Sequence, residues 1–186
     1  MVMTEEERCK WLSDAFKSVG EKSNLAHFMG SSRKKINLGC GAAPEPVWNN
    51  WVNVDINKRS AAGIVFDMRE PWPIKPETFD TAFACMLFQC FWAGEEIVHV
   101  FSEIWEILKP GGWLVGVVPE MTAGNPLQKS LWSVATPSMM CKSSYFQSEL
   151  STTAWDQGLP FRDWKCLRVQ QQDSHIWFVL QKSIMV

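Results

Sequence analysis

Apolar residues along this chain form short runs that are interrupted by one long helical pattern. The runs lie at 35–38, 51–55, 63–67, 81–86 and 113–118, and the last of them contains no charged residue. Runs of this kind are typical of parallel strands that are covered on both faces. Between the fourth and fifth runs, apolar side chains recur at helical spacing and predict an amphipathic helix over 97–108. The pattern therefore predicts strands that alternate with helices.

Two further helices and a hairpin complete the expected fold. Thr4 opens a capping box for a helix that ends at Gly20, and a last helix is expected over 143–158. The apolar runs at 161–169 and 175–181 then form an antiparallel hairpin. Together these elements predict an α/β fold with a Rossmann-like, mainly parallel seven-stranded sheet, helices on both faces and a C-terminal antiparallel hairpin.

The composition is that of one domain. A chain of 186 residues that is 46% hydrophobic can form one well-buried core and leaves little room for a second. We divide the single domain 1–186 into a helical extension at 1–32, a cofactor-binding core at 33–120, a lid or acceptor loop at 121–142, and a final helix and hairpin at 143–186.

Charge and cysteine usage exclude several classes of function. The net charge of −2 and the pI near 5.9 argue against a surface that binds polyanions. The six cysteines include no Cys-x-x-Cys pair, and the three histidines are isolated, so we expect no metal site. Since the chain has no signal peptide and no apolar run near membrane-spanning length, we expect a soluble cytoplasmic protein.

Special residues follow the first three predicted strands. Gly39 and Gly41 come after the first strand, Asp55 ends the second, and Asp67 ends the third. Ligands of α/β sheets lie beyond the carboxyl ends of the strands. A carboxylate at Asp55 can accept hydrogen bonds from both hydroxyls of a ribose, and Asp67 can accept one from the exocyclic amine of adenine, with the backbone N–H of Met68 nearby. Each acid alone is better explained as a solvated strand end, but their common position favours a nucleoside-type site.

Five segments, taken in order, resemble the class I S-adenosylmethionine-dependent methyltransferases. The resemblance is closest to the methyltransferase type 11-like branch, which has a short first crossover, and it covers residues 33–120 and, more loosely, the final helix and hairpin. The glycine loop and the Leu-Lys-Pro-Gly-Gly sequence are specific for the family when they occur together in this order. The segments are 36–41, 52–55, 66–67, 79–80 and 108–112.

The resemblance implies a set of residues around S-adenosylmethionine as cofactor. The glycine loop would run alongside the methionine part of the cofactor. Asp55 would hold the ribose, and Asp67 with Met68 would bind the amino edge of the adenine. The residue after the ribose-binding acid would flank the adenine, and the end of the fourth strand would lie beneath the sulfonium. The implied cofactor-binding residues are Asn37, Gly39, Cys40, Gly41, Asp55, Ile56, Asp67, Met68, Cys85 and Met86.

Two departures from the family pattern keep an alternative open. Many relatives carry an acid where Asn37 stands, and close relatives often carry polar residues where this chain has the largely apolar segment 86–90. The alternative is a catalytically silent, methyltransferase-like domain that binds cofactor or a partner. A nicotinamide-dependent oxidoreductase fits poorly, because Pro44 stands where its fingerprint requires a third glycine.

The chemistry expected of the family is in-line transfer of a methyl group to an acceptor atom, which depends mainly on alignment. A base is needed only for a protonated acceptor, and Glu120 is the candidate, although a solvated acid fits that position as well. With no basic stripe and no Asn/Asp-Pro-Pro-Tyr/Phe motif, a small-molecule or peptide-sized acceptor is favoured over nucleic acid. The loop 121–142, which carries Trp132 and Met140, would cover the acceptor as a lid. The oligomeric state is left open.

Overall fold

A computed structural model describes residues 33–41, 51–58, 60, 62–120, 128–141, 162–172 and 174–184 of this chain. The predicted helical extension at 1–32 and the last helix at 143–158 lie outside these residues, so both stay predictions. In chain order the elements are β1 (Lys35–Leu38), β2 (Val52–Asp55), β3 (Ile64–Val65), β4 (Phe79–Cys85), a 3₁₀ turn (Phe88–Cys90), α1 (Glu95–Ile107), β5 (Leu108–Pro119), α2 (Thr136–Met139), β6 (Trp164–Gln172) and β7 (His175–Lys182).

The strands form one seven-stranded sheet in the order β3-β2-β1-β4-β5-β7-β6. The pairs β2–β3, β1–β2, β1–β4 and β4–β5 are parallel, and β7 pairs antiparallel with both β5 and β6. The predicted mainly parallel sheet with its C-terminal antiparallel hairpin is therefore confirmed. The carboxyl ends of β1, β2, β3 and β4 meet at one edge of the sheet, and this edge carries the candidate site.

Strand β5 is longer than the sequence predicts. It begins at Leu108, directly after α1, and includes Lys109, Pro110 and both glycines, although the sequence pattern predicts a helix to 108 and a strand only from 113. The pairing with β4 absorbs these residues through an irregularity, because Phe79 lies opposite Leu108 while Thr81 lies opposite Trp113. A bulge of this kind tolerates proline and glycine inside a strand.

Alternating residues of the central strands are buried on opposite faces of the sheet. On one face, Leu114 and Phe178 belong to the larger core cluster, which also contains the buried stripe of α1. On the other face, Val115 and Val117 pack with Trp177 in a smaller cluster. Burial on both faces explains why these strands are apolar at nearly every position.

Residues 128–141 pack against the core on the side of α1. Trp132 is 2% exposed, and its ring is parallel to that of Phe178 at a centroid distance of 5.9 Å. Its indole N–H donates to the Ser130 hydroxyl at 3.0 Å, and Met140 is also buried. Because Trp132 and Met140 are core residues, any lid function of the 121–142 loop stays a prediction, and residues 121–127 lie outside the described part of the chain.

Within the described ranges, no helix combines the length and the apolar character that a membrane crossing requires.

Candidate functional site

The loop after β1 depends on two glycines with left-handed backbone conformations. Gly39 has φ +67° and Gly41 has φ +73°, a region that residues with a Cβ adopt only with strain. A Cβ on Gly39 would approach Leu87 Cδ1 to 2.9 Å, whereas a Cβ on Gly41 would meet no described atom within 4 Å. The loop therefore packs closely against the segment after β4 at Gly39 and presents an open backbone at Gly41.

The carboxylate of Asp55 ties this loop to the end of β2. Its Oδ2 accepts a hydrogen bond from the backbone N–H of Gly41 at 2.9 Å, and its Oδ1 accepts one from the N–H of Asn57 at 2.8 Å. A carboxylate offers about four acceptor positions, so two of them are used by these contacts. Ile56, the next residue, is 57% exposed and places an apolar side chain beside the carboxylate.

The side chain of Asn37 forms a hydrogen bond within the sheet. It lies in the middle of β1, is buried, and donates from Nδ2 to Oδ1 of Asn53 at 2.9 Å on the neighbouring strand. The two residues are partners in the parallel register of β1 and β2. The amide of Asn37 therefore binds a strand neighbour that the sequence analysis did not identify.

Asp67 lies two residues beyond β3 and is bound by Arg69. The guanidinium and the backbone N–H of Arg69 both donate to the Asp67 carboxylate, at distances of 2.5 to 3.1 Å. The Arg69 hydrogen bonds hold the pKa of Asp67 below its usual value. The side chain of the intervening Met68 is buried, and its carbonyl accepts a hydrogen bond from Trp72 Nε1 at 3.0 Å.

The strand ends enclose a cavity of about 390 Å³. Half of its lining residues belong to the predicted cofactor set, and the other half follow β3, β4 and β5 and were not predicted. The predicted lining residues are Gly39, Asp55, Ile56, Asp67 and Met68, and the additional ones are Arg69, Leu87, Cys90, Phe91 and Lys129. The remaining members of the predicted set, namely Asn37, Cys40, Gly41, Cys85 and Met86, do not line this cavity.

The end of β4 carries backbone strain. Met86 has φ +54°, which is uncommon for a residue with a long side chain, and its N–H donates to the carbonyl of Val117 at 2.8 Å. Its side chain is 41% exposed, and the half-buried Cys85 precedes it at the end of the strand. Strained non-glycine residues concentrate where the chain must present a group to a ligand.

A wall of the cavity is formed by two segments that are joined by backbone hydrogen bonds. The N–H groups of Lys129 and Ser130 both donate to the carbonyl of Gln89, at 2.8 and 3.4 Å. The ammonium of Lys129 lies 5.7 Å from the centroid of the exposed Trp92 ring. Lys129 thus brings a cation from the segment after β5 to a cavity that is built mainly by β1 to β4.

The two thiols near the cavity are poorly suited to act as nucleophiles. Burial raises the pKa of Cys90, and burial together with the negative charge of Asp55 raises the pKa of Cys40. Both side chains therefore stay protonated at neutral pH. Glu120, the candidate base, directly follows β5 and donates its N–H to the carbonyl of Ser174 at 2.7 Å, and it does not line the cavity.

Sequence signals for the additional residues differ in strength. Arg69 stands two residues after an acid at a strand end, a spacing that favours a local ion pair, so this contact was accessible to sequence reasoning. Lys129 has no such signal, because only the fold brings it to Gln89, forty positions away in the chain.

Comparisons with known proteins match the central part of the chain to one family. Residues 37–116 match the profile of the methyltransferase domain family. No curated protein is significantly similar to this sequence.

Solved structures share the fold at low sequence identity. An S-adenosylmethionine-dependent methyltransferase from Methanosarcina mazei is 12% identical with a TM-score of 0.53, over 89% of this chain and 100% of that one. The [4+2]-cyclase SpnF is 10% identical with a TM-score of 0.61, over 99% and 84%. The protein bound to the Trm112 methyltransferase activator of Haloferax volcanii is 13% identical with a TM-score of 0.56, over 98% and 100%. Residues 37–116 therefore match the methyltransferase domain family, and the described part of the chain shares its fold with these solved structures.

Proposed function

We propose that the cavity at the strand ends holds S-adenosylmethionine and that the chain transfers its methyl group to a small or peptide-sized acceptor. The observation that carries this proposal is the position of Asp55. Its carboxylate fixes the glycine loop through Gly41 N–H and retains acceptor capacity on both oxygens, because each accepts one hydrogen bond among the described residues. A carboxylate with this capacity, fixed beside a glycine loop, suits the two hydroxyls of a ribose.

The dimensions and walls of the cavity support the same ligand. A volume of about 390 Å³ lies in the range of small-molecule sites. Ile56, Leu87 and Phe91 supply apolar surface on which the faces of an adenine ring can pack. The open backbone at Gly41 allows a ligand to approach the loop closely.

The other predicted residues have proposed roles at either end of the cofactor. The loop of Gly39, Cys40 and Gly41 runs alongside the methionine part of the cofactor, with Asn37 nearby. Asp67 and the N–H of Met68 face the amino edge of the adenine, and Cys85 and Met86 lie beneath the sulfonium.

When bound, the cofactor supplies an electrophilic methyl group on a sulfonium. The chain then has to exclude water and to align the acceptor atom with the methyl carbon. Glu120 is the proposed base for an acceptor that carries a proton. The net charge of −2 supports a small or peptide-sized acceptor over nucleic acid. The free thiols of the described cysteines support a cytoplasmic location.

Isothermal titration calorimetry with S-adenosylmethionine and S-adenosylhomocysteine tests the cofactor assignment without knowledge of the acceptor. Asp55→Asn keeps the size of the side chain and one carbonyl oxygen but removes the charge and one acceptor oxygen. Charge-assisted hydrogen bonds contribute about 1.5–3 kcal/mol, so we expect affinity for both compounds to fall roughly 10- to 150-fold.

Asp80→Asn is the matched control. Asp80 is also an acid on a strand of the same sheet, but it lies near the start of β4 and is paired with Lys109 at 3.0 Å. This variant should bind both compounds like the unmodified protein. A folded Asp55→Asn protein with unchanged affinity would remove Asp55 from the site and the main support from the proposal.

A further inference from the structure

Asp67 and Arg69 line the same cavity and form a closed ion pair within it. Oδ1 of Asp67 accepts from the backbone N–H of Arg69 at 3.0 Å and from Nε at 2.9 Å. Oδ2 accepts from Nε at 3.1 Å and from Nη2 at 2.5 Å. These four contacts come from three N–H groups, because Nε–H is shared between both oxygens, so at most about one of the four acceptor positions of Asp67 stays free.

This pairing changes which hydrogen-bonding groups a ligand meets on the side of the cavity where the adenine is proposed to bind. A free carboxylate would accept a hydrogen bond from an exocyclic amine. The pair instead exposes the remaining N–H groups of the guanidinium, since Arg69 donates through Nε and Nη2 and its side chain is 43% exposed. Lys129 also lines the cavity and adds a second cation. The edge where an amine was expected to bind is therefore lined mainly by donors.

We propose that Arg69 determines base selectivity in this site: by occupying Asp67, it prevents selection for the 6-amino group of adenine and lets the site accept a 6-oxo purine in the same position. The inference rests on the proposed function, because it concerns the base of the bound cofactor. A carbonyl at position 6 accepts from the guanidinium, whereas an amine has to compete with Arg69 for the acceptor positions of Asp67.

Loosening the Asp67–Arg69 pair for the amine costs a small but nonzero free energy. An ion pair that is exposed to solvent contributes little to stability, and the side chains here are 43% and 29% exposed. The amine therefore gains little net free energy over the carbonyl, and the site discriminates weakly. In the absence of Arg69, Asp67 regains free acceptor positions, and a purine without the amine would leave them without a partner in the occupied site.

The test compares S-adenosylhomocysteine with S-inosylhomocysteine, its deaminated analogue, by isothermal titration. For the unmodified protein we expect affinities within about threefold of each other. For Arg69→Met we expect at least about tenfold preference for the adenosyl compound, which corresponds to about 1.4 kcal/mol. The double variant Asp67→Asn with Arg69→Met should lose this preference again, because the charged acceptor is gone.

Arg162→Met is the matched control. Arg162 forms a somewhat more exposed ion pair with Glu106 at 2.6 Å, and it does not line the cavity. This variant should keep the ratio of adenosyl to inosyl affinity that the unmodified protein shows. Arg69→Lys provides a second probe of the same position, since it keeps the charge but loses the planar fork, and its ratio should lie between those of the unmodified protein and Arg69→Met.

The outcomes separate the two proposals. If the unmodified protein already prefers the adenosyl compound tenfold and Arg69→Met leaves the ratio unchanged, the selectivity inference is wrong while the cofactor assignment stands. If neither compound binds to any of the variants, the proposed function fails and the inference fails with it. If the proteins bind and Arg69→Met changes the ratio of the adenosyl and inosyl affinities as expected, both the cofactor assignment and the selectivity inference are supported.

Discussion

Gly116 lies opposite Phe178 where β5 pairs with β7, and replacing it with alanine should destabilise the fold. A Cβ at this position would be 2.1 Å from Cζ of the Phe178 ring and 2.5 Å from both Cε atoms. To restore an ordinary contact near 3.4 Å, the ring has to move by about 1.3 Å. It has little space for this, because Phe178 is fully buried and its ring centroid lies 5.9 Å from those of Trp132 and Phe88.

The magnitude follows from two opposing effects. Overpacking a filled core costs about 1–3 kcal/mol, and alanine recovers about 0.5–1 kcal/mol over glycine in a strand. We expect Gly116→Ala to lower the free energy of unfolding by about 1–2 kcal/mol and the Tm by about 2–8 °C for a chain of this size. Urea unfolding and thermal melts followed by circular dichroism measure the two quantities.

A double-mutant cycle with Phe178→Ala assigns the effect to the ring. Phe178→Ala alone should cost about 3–5 kcal/mol, and much less in the Gly116→Ala background, because the overlap disappears with the ring. Gly63→Ala is the matched control, since its Cβ would be 3.9 Å from the nearest atom, the carbonyl oxygen of Asn53. We expect it to leave stability unchanged or to raise it by up to about 1 kcal/mol. If Gly116→Ala is as stable as the unmodified protein, and Phe178→Ala costs the same in both backgrounds, the packing argument is wrong.

Three further predictions concern the core and two titrating groups. Trp132→Ala should lower the free energy of unfolding by about 3–5 kcal/mol, because it removes the ring that stacks on Phe178, and Trp132→Phe should cost less; urea unfolding measures both. Burial lowers the pKa of Lys182, so the unfolded chain binds more protons as the pH approaches the usual value of 10.5; stability should therefore rise with pH on the alkaline approach to that value, and Lys182→Met should flatten that rise. A hydrogen bond from the Cys141 thiol lowers the pKa of Cys166, so alkylation of Cys166 by iodoacetamide should reach half its maximal rate at a lower pH than for an ordinary thiol, and Cys141→Ala should move that midpoint upward.

The parts of the site that the sequence predicts are those that local patterns determine. Gly39, Asp55 and Asp67 follow strands that apolar runs identify, and the carboxyl ends of parallel strands meet at one sheet edge. The left-handed conformation of Gly39 is likewise what a glycine at the end of a buried strand suggests. No distant contact is needed for any of these expectations.

The parts that the sequence does not predict depend on contacts between distant segments or on competing local signals. Lys129 lines the cavity because its N–H binds the carbonyl of Gln89, and no periodicity marks that contact. Trp132 belongs to a segment without a helical or strand period, and it is buried through stacking on Phe178. Pro110 lies inside β5 because the strand bulges there, although a proline followed by glycines usually ends an element.

The fold that this chain shares with its structural neighbours does not identify a reaction. SpnF has the same fold at a TM-score of 0.61 and is a [4+2]-cyclase, so the sheet alone does not determine which bond is made. In this chain the described loops form a connected wall. The carbonyl of Gln89 accepts from Lys129 and Ser130, the Ser130 hydroxyl donates to the carbonyl of Phe88 at 3.2 Å, and Trp132 anchors the wall in the core. Since these contacts all lie within the folded chain, the wall exists before a ligand arrives. A ligand of this cavity would therefore meet the wall already formed, with Lys129 as its cation.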